Sequence, residues 1–289
     1  MARALRPDSA FLRRLAYAGA RFGPRFVIEH SPKFFGTAFA LALPETRQRV
    51  LRNLRRVKGQ RSFLSEQRDV LQTFTSYAAC LAESLGIDRA DGQRTELSLL
   101  GRDHLRAALE VGRGVILVTA HIGPWDCAAR LLAKDFSADV VVVMLAEPDE
   151  GARKVHDAVR ERSGVRVMHV GEHPLDALPL LRHVRNGGVV AIQLDRAAPA
   201  GRMLDVELFG SEESVPEGPF RLAALSGAPI VPIFAHRQGY FRYEFSIEAP
   251  IWVRRQASHA ELRSAAASAA QAMQSFISRH PTEWFHFAS

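Results

Sequence analysis

The sequence predicts an α/β fold: a mostly parallel central sheet flanked by helices, with a helical, amphipathic N-terminal extension. Three observations carry this prediction. Short apolar, β-branched runs at residues 115–118, 140–145, 165–170, 189–194 and 230–234 alternate with helical patterns from about residue 97 onward, the rhythm of a parallel sheet covered on both faces. A chain of 289 residues with 47% apolar content is long enough to bury one large core. The basic residues crowd into the first quarter. Residues 1–61 hold 14 Lys and Arg against 3 Asp and Glu, although the whole chain is only +7, so the remainder is net acidic.

Taken in order, Phe11, Leu15, Ala18 and Phe22 recur at helical spacing, with Arg13, Arg14 and Arg21 on another face. Gly23-Pro24 ends that helix. Phe34, Phe35 and Phe39 follow as an aromatic, hairpin-like segment flanked by Lys33. A basic amphipathic helix followed by aromatics reads as an interfacial membrane anchor. It also reads as a helix packed on the core with its arginines in solvent. Residues 1–44 are set apart as a basic, membrane-associating extension and residues 45–289 as the body. A helix at 45–58 turns Val50, Leu51, Leu54 and Val57 inward, and another at 65–85 opens on Ser65 as its cap. Helices at 124–134, 151–162, 174–185 and 217–225 link the strands. Residues 243–247 read as an edge strand, and an alanine-rich helix at 259–279 closes the chain.

Composition excludes several classes. Two cysteines, Cys80 and Cys127, are too few for a disulfide framework, and no Cys/His cluster has metal-ligand spacing, so no metal site is expected. No early uncharged run approaches the roughly 20 residues of a membrane span, and no signal-peptide core opens the chain. A basic quarter suits nucleic acid, an acidic protein or an anionic membrane surface. Without a nucleic-acid-binding motif, no nucleic-acid partner is expected. Neither a nucleophile elbow, a phosphate-binding P-loop nor a dinucleotide fingerprint is present.

The segment from Val115 to Asp126 is the most informative. An apolar run ends at His121, Gly123 breaks the strand, and Pro124 suits the first turn of a helix. His121 therefore lies at the carboxyl edge of the sheet, where open α/β folds bind ligands. Asp126 in the following turn is placed to orient the imidazole as a general base. A capping interaction is the plainer alternative. Cys127 reads as a small packing residue. His169, His173, His183 and His236 carry no motif.

Several ordered blocks resemble the lipid A biosynthesis (late) acyltransferase family, to which phosphatidylinositol mannoside acyltransferases are related. His121 to Asp126 matches its H-x-x-x-x-D/E signature. Arg52-Asn53-Leu54, Ala79 to Glu83, Gln193 to Arg196, Leu208-Phe209-Gly210, Glu217-Gly218-Pro219 and the Gly227 to Pro232 block are similar to family steps. So is His280-Pro281-Thr282-Glu283-Trp284. The resemblance implies a glycerolipid acyltransferase-like fold. It implies transfer of an acyl chain from acyl carrier protein or coenzyme A to a hydroxyl of a lipid or glycolipid acceptor, with no cofactor beyond that donor. His121 is the implied base and Asp126 its orienting acid. The backbone N–H groups after His121, or Arg196, are candidates to stabilise the thioester oxygen; Glu147, Asp195 and Asp205 are further candidates near the substrate. The implied location is peripheral, on the cytoplasmic side of the bacterial inner membrane. A thioesterase and a catalytically silent lipid- or carrier-binding module are the alternatives.

Overall fold

The computed structural model describes residues 17–20, 22–87, 95–125, 127, 135–145, 166–170, 177–196 and 201–287. Among them lie helices α1 (Arg25–Ala42), α2 (Pro44–Lys58) and α3 (Phe63–Gly86), strand β1 (Glu96–Leu100) and helix α4 (Arg102–Glu110). Then come β2 (Val115–Thr119), β3 (Val140–Leu145), β4 (Arg166–Val170), helix α5 (Ala177–Arg185) and β5 (Val189–Gln193). The chain ends with a hairpin of β6 (Met203–Leu208) and β7 (Ser211–Pro216), helix α6 (Gly218–Ser226), β8 (Ile230–Gly239), β9 (Arg242–Ile247) and helix α7 (His259–Arg279).

Seven strands form one sheet in the order β1-β9-β8-β2-β5-β3-β4. Neighbours are parallel except at β8–β9, so the sheet is mostly parallel, as expected. Strand β2 lies at its centre, between β5 and β8. Its side chains divide between two cores. Ile116 and Val118 join the cluster under α7, while Val115 and Leu117 join the one around α4 and β9. Burial on both faces is the reason that the strand is apolar from Val115 to Val118. Helix α7 turns Ala265, Ala266, Ala269, Ala270, Met273 and Phe276 inward, and its small residues let it lie close. Ser258 and Glu261 close a reciprocal capping box at its start.

Two expectations are corrected. Residues 243–247 are not an edge strand, because β1 pairs in parallel along β9 and takes the edge itself. The segment with Phe34, Phe35 and Phe39 is not hairpin-like. It lies within α1, which runs through Pro32 although that residue has no N–H to give. Ile28, Pro32, Gly36 and Ala40 recur every four residues as the buried stripe of α1, and their packing offsets the missing bond. At Gly36 a Cβ would lie 2.6 Å from Thr75 Cα, so the backbones of α1 and α3 meet there. The Leu208-Phe209-Gly210 step is the turn of the β6–β7 hairpin, with φ of +53° and +72° at Phe209 and Gly210. The expected helix at 151–162, most of those at 124–134 and around Phe11 to Phe22, and residues 174–176 lie outside the described residues.

Ala40 shares a small core with Val50, Leu54, Val70 and Phe74, so the proposed boundary at residue 44 crosses a packed cluster. The outward side of α1 carries Phe26, Phe34, Phe35 and Leu41 in solvent. No described helix is long and apolar enough to cross a membrane.

The helical layer is tied to the sheet by a buried charge. Glu83 of α3 accepts from Arg237 Nε and Nη2 at 2.8 and 2.6 Å, and from Tyr243 Oη at 2.8 Å. Burial pushes the Glu83 carboxyl up, against the pull of Arg237 and Tyr243. Breaking such a pair from one side leaves an uncompensated buried charge. Arg237→Met is expected to lose roughly 3–5 kcal/mol of unfolding free energy in urea. Adding Glu83→Gln to it is expected to recover part of that loss.

Candidate active site

The site begins with register. Thr119 and Gln193 are partners at the ends of β2 and β5, and Leu194 N donates to Thr119 O at 2.8 Å. The two chains therefore leave the sheet side by side, and His121 and Asp195 face each other. Oδ1 of Asp195 lies 2.8 Å from His121 Nδ1. The backbone N–H of His121 also donates to the carboxylate, at 3.1 and 3.0 Å from its two oxygens. The side chain of Asp195 is only 1% exposed. Burial alone would raise its carboxyl; the charge and hydrogen bond of His121, with the nearby charge of His286, outweigh it and hold the group well below the usual carboxylate range. An ionised carboxylate only accepts hydrogen bonds, so in the neutral form of the ring Nδ1 carries the proton and Nε2 presents the lone pair. Nε2 has no hydrogen-bond partner among the described residues.

The partner that the sequence suggests for the imidazole is Asp126, five residues on in the same turn. At Nδ1 the structure has Asp195, from the neighbouring strand. Asp126 and Glu147 lie outside the described residues. Arg196 follows Asp195 directly, and its buried Nε has no acceptor among the described residues; the same holds for Gln193 Nε2. Asp205 is not brought to this cluster. It stands exposed in the β6–β7 hairpin and accepts from Ser214 Oγ at 3.0 Å. Two N–H groups proposed for the thioester oxygen are already committed: Ile122 N donates to Ala120 O at 2.8 Å and Gly123 N to Glu283 O at 3.0 Å. Cys127 is fully buried, as a packing residue is.

The chain terminus completes the site. Trp284 bridges Ile122 in antiparallel fashion, and Phe285 N donates to His121 O at 2.7 Å. Trp284 Nε1 donates to Asp195 Oδ2 at 3.1 Å, and His286 Nδ1 lies 3.8 Å from the same oxygen. Farther along, Asn53 of α2 donates to His286 O at 2.8 Å, and Phe287 stacks on Phe74 of α3. Gly123 permits this arrangement. Its φ is +55°, and a Cβ there would lie 2.1 Å from Ala235 O and 2.9 Å from Glu283 Oε2. Nothing in the periodicity marks the terminus as part of the site; the final His-Pro-x-x-Trp block was its only trace.

Beneath the turn, Glu283 is buried and divides its carboxylate. Oε1 lies 2.9 Å from His236 Nδ1, and Oε2 accepts from Arg237 N at 3.0 Å. His236 stacks on His280 with ring centroids 3.9 Å apart. The adjoining Glu283 carboxylate raises the pKa of His236 despite partial burial, while burial and the charge of His236 lower that of His280. A raised folded value means that the His236–Glu283 contribution is complete below the ordinary value of 6.5 and fades as pH rises through the folded value. Glu283→Gln keeps an acceptor for Arg237 N and loses the charge. The gap in unfolding midpoint between wild type and this variant is expected to be widest below pH 6.5 and to narrow above it.

Comparison with known proteins places the chain in a family. A family model described as bacterial lipid A biosynthesis acyltransferase matches residues 3–289. A phosphatidylinositol mannoside acyltransferase of Mycolicibacterium smegmatis is 26% identical over 196 residues, 66% of this chain and 64% of that protein. One from Mycobacterium tuberculosis is 31% identical over 141 residues, 48% of this chain and 44% of that protein. The matched stretches thus span less than two thirds of these curated relatives.

Proposed function

Because the chain belongs to the bacterial lipid A biosynthesis acyltransferase family, we propose that it moves a fatty acyl chain from an acyl thioester to a hydroxyl of a lipid or glycolipid. The donor would be carried by acyl carrier protein or coenzyme A. The observation that carries this reading is the commitment of His121 Nδ1 to a buried, ionised Asp195 at 2.8 Å, which leaves Nε2 as the basic nitrogen at the carboxyl edge of the sheet.

A hydroxyl is a poor nucleophile until a base takes its proton in the transition state. Nε2 of His121 accepts that proton as the oxygen attacks the thioester carbonyl. Asp195 stabilises the imidazolium that forms. The carbon–sulfur bond then breaks, and the imidazolium returns the proton to the departing thiolate. Negative charge gathers on the carbonyl oxygen in between, and donors placed there contribute most. Arg196 is the candidate that the geometry leaves open, since the N–H groups of Ile122 and Gly123 are taken. Asp126 and Glu147 remain candidates from the sequence. The names of the mycobacterial relatives support a phosphoinositol mannoside or another glycolipid as acceptor.

The exposed aromatics of α1 support a peripheral position on an anionic membrane, on the cytoplasmic side where the donor is found. Phe26, Phe34 and Phe35 are 70%, 72% and 53% exposed on a helix that also carries Arg25 and Lys33. Such a face binds a bilayer interface through buried apolar area and attraction to anionic lipids.

Two measurements test these readings. Transfer of labelled acyl groups from acyl carrier protein or coenzyme A into a bacterial lipid extract is expected from wild type, and His121→Ala is expected to reduce it about 10²–10⁴-fold. Release of free fatty acid without labelled lipid would identify a thioesterase, and turnover unchanged in His121→Ala would remove His121 as the base. Replacing Phe26, Phe34 and Phe35 with Ser leaves the buried stripe of α1 intact. It is expected to weaken sedimentation with anionic vesicles about tenfold or more, each buried Phe being worth about 1.5–3 kcal/mol. Unchanged sedimentation would sink the interfacial reading.

A further inference from the structure

We infer that Trp284 is a positioning residue of this site, acting through Asp195 on His121; the inference rests on His121 being the base. Asp195 has two oxygens with different duties. Oδ1 faces His121 Nδ1, and Oδ2 receives the indole N–H of Trp284 at 3.1 Å. The backbone N–H of His121 is shared between both oxygens, at 3.1 and 3.0 Å, and the terminal torsion of an aspartate is soft, so a carboxylate with a side-chain partner at one oxygen alone can still turn. His286 Nδ1, 3.8 Å from Oδ2, is beyond hydrogen-bond reach. The indole is therefore the side-chain donor that stops the turn among the described residues.

The indole is itself held firmly. Its backbone bridges Ile122, the residue after the base, and the next N–H donates to the carbonyl of His121. Its ring faces Phe209 of the β6–β7 hairpin with centroids 5.8 Å apart. His121 is thus gripped at its carbonyl by Phe285 and at its ring by a carboxylate that Trp284 holds. An indole N–H also draws charge from the carboxylate. Without it, Asp195 would present more negative charge to the imidazolium and raise the basicity of His121, while holding the ring in a less defined orientation.

Trp284 also packs in the main core, so a loss of activity alone would not separate positioning from folding. Trp284→Phe removes the N–H and keeps an aromatic ring. Its kcat is expected to fall about 10–100-fold, the scale of a small misplacement of a catalytic group. The KM for the thioester is expected to stay within about twofold, since uniform binding is untouched. The acid limb of the kcat–pH profile, which reports the base in the substrate complex, is expected to move upward. In an Asp195→Asn background the same substitution is expected to cost little more, because its route is already cut.

An unchanged kcat in Trp284→Phe, a lowered melting temperature with an unmoved acid limb, or a full additional loss in the Asp195→Asn background would each overturn the inference. Should Trp284→Phe fail to fold, the indole N–H resonance of Trp284 in the otherwise native protein decides. It is expected to shift on Asp195→Asn, and an unmoved resonance would overturn the coupling. If His121→Ala keeps wild-type turnover, the base reading fails and takes the inference with it. If His121→Ala is inactive while Trp284→Phe is normal, the inference alone fails.

Discussion

A carboxylate buried at the end of a central strand must be surrounded by donors, and Asp195 organises the site around that need. A buried charge left without partners costs several kcal/mol. Here the backbone and ring of His121 supply donors from one neighbour, and the indole of Trp284 supplies another from the chain terminus. These contacts hold only if β2 and β5 end in register and if residues 283–285 lie against the turn after β2. The register comes from the parallel pairing of Val115 to Thr119 with Val189 to Gln193. The approach of the terminus comes from Gly123, whose positive φ and missing Cβ leave room for Ala235 and Glu283.

The same terminus joins the site to the helical layer. Past Trp284 the chain runs between α2 and α3, where Asn53 holds the carbonyl of His286 and the rings of Phe285 and Phe287 meet Tyr77 and Phe74. A second tie is the buried Glu83, which fastens α3 to β8 and β9 through Arg237 and Tyr243. Arg237 also gives its backbone N–H to Glu283. The first three helices are thus part of the scaffold that positions the imidazole, even though one face of α1 is turned to solvent with its phenylalanines bare.

Much of the fold was legible because burial on both faces imposes a simple pattern. Strands such as β2 and β3 are unbroken apolar runs, and α7 repeats alanine on one side at helical spacing. Where local pattern and tertiary context disagreed, the reading failed. The segment with Phe34, Phe35 and Phe39 looked hairpin-like, but packing against α3 keeps α1 helical through it and through Pro32. Phe209 hides a tight turn because an aromatic residue at positive φ is rare. Leu97 and Leu99 make a short strand whose pairing with β9 is parallel and distant in sequence, so residues 243–247 looked like an edge.

The position of His121 at the carboxyl edge of the sheet follows from residues within ten positions of it: an apolar strand, a glycine and a proline. That is why the sequence by itself determined where the imidazole lies in the sheet. Which carboxylate meets the imidazole is a different kind of fact. Asp195 is near in space because β5 is the parallel neighbour of β2, although 74 positions separate it from His121. The oxygen donors follow the same rule: Trp284 reaches Asp195 across 89 positions. Strand order and the docking of a terminus are set by packing across the whole core, and only the tertiary structure decides them.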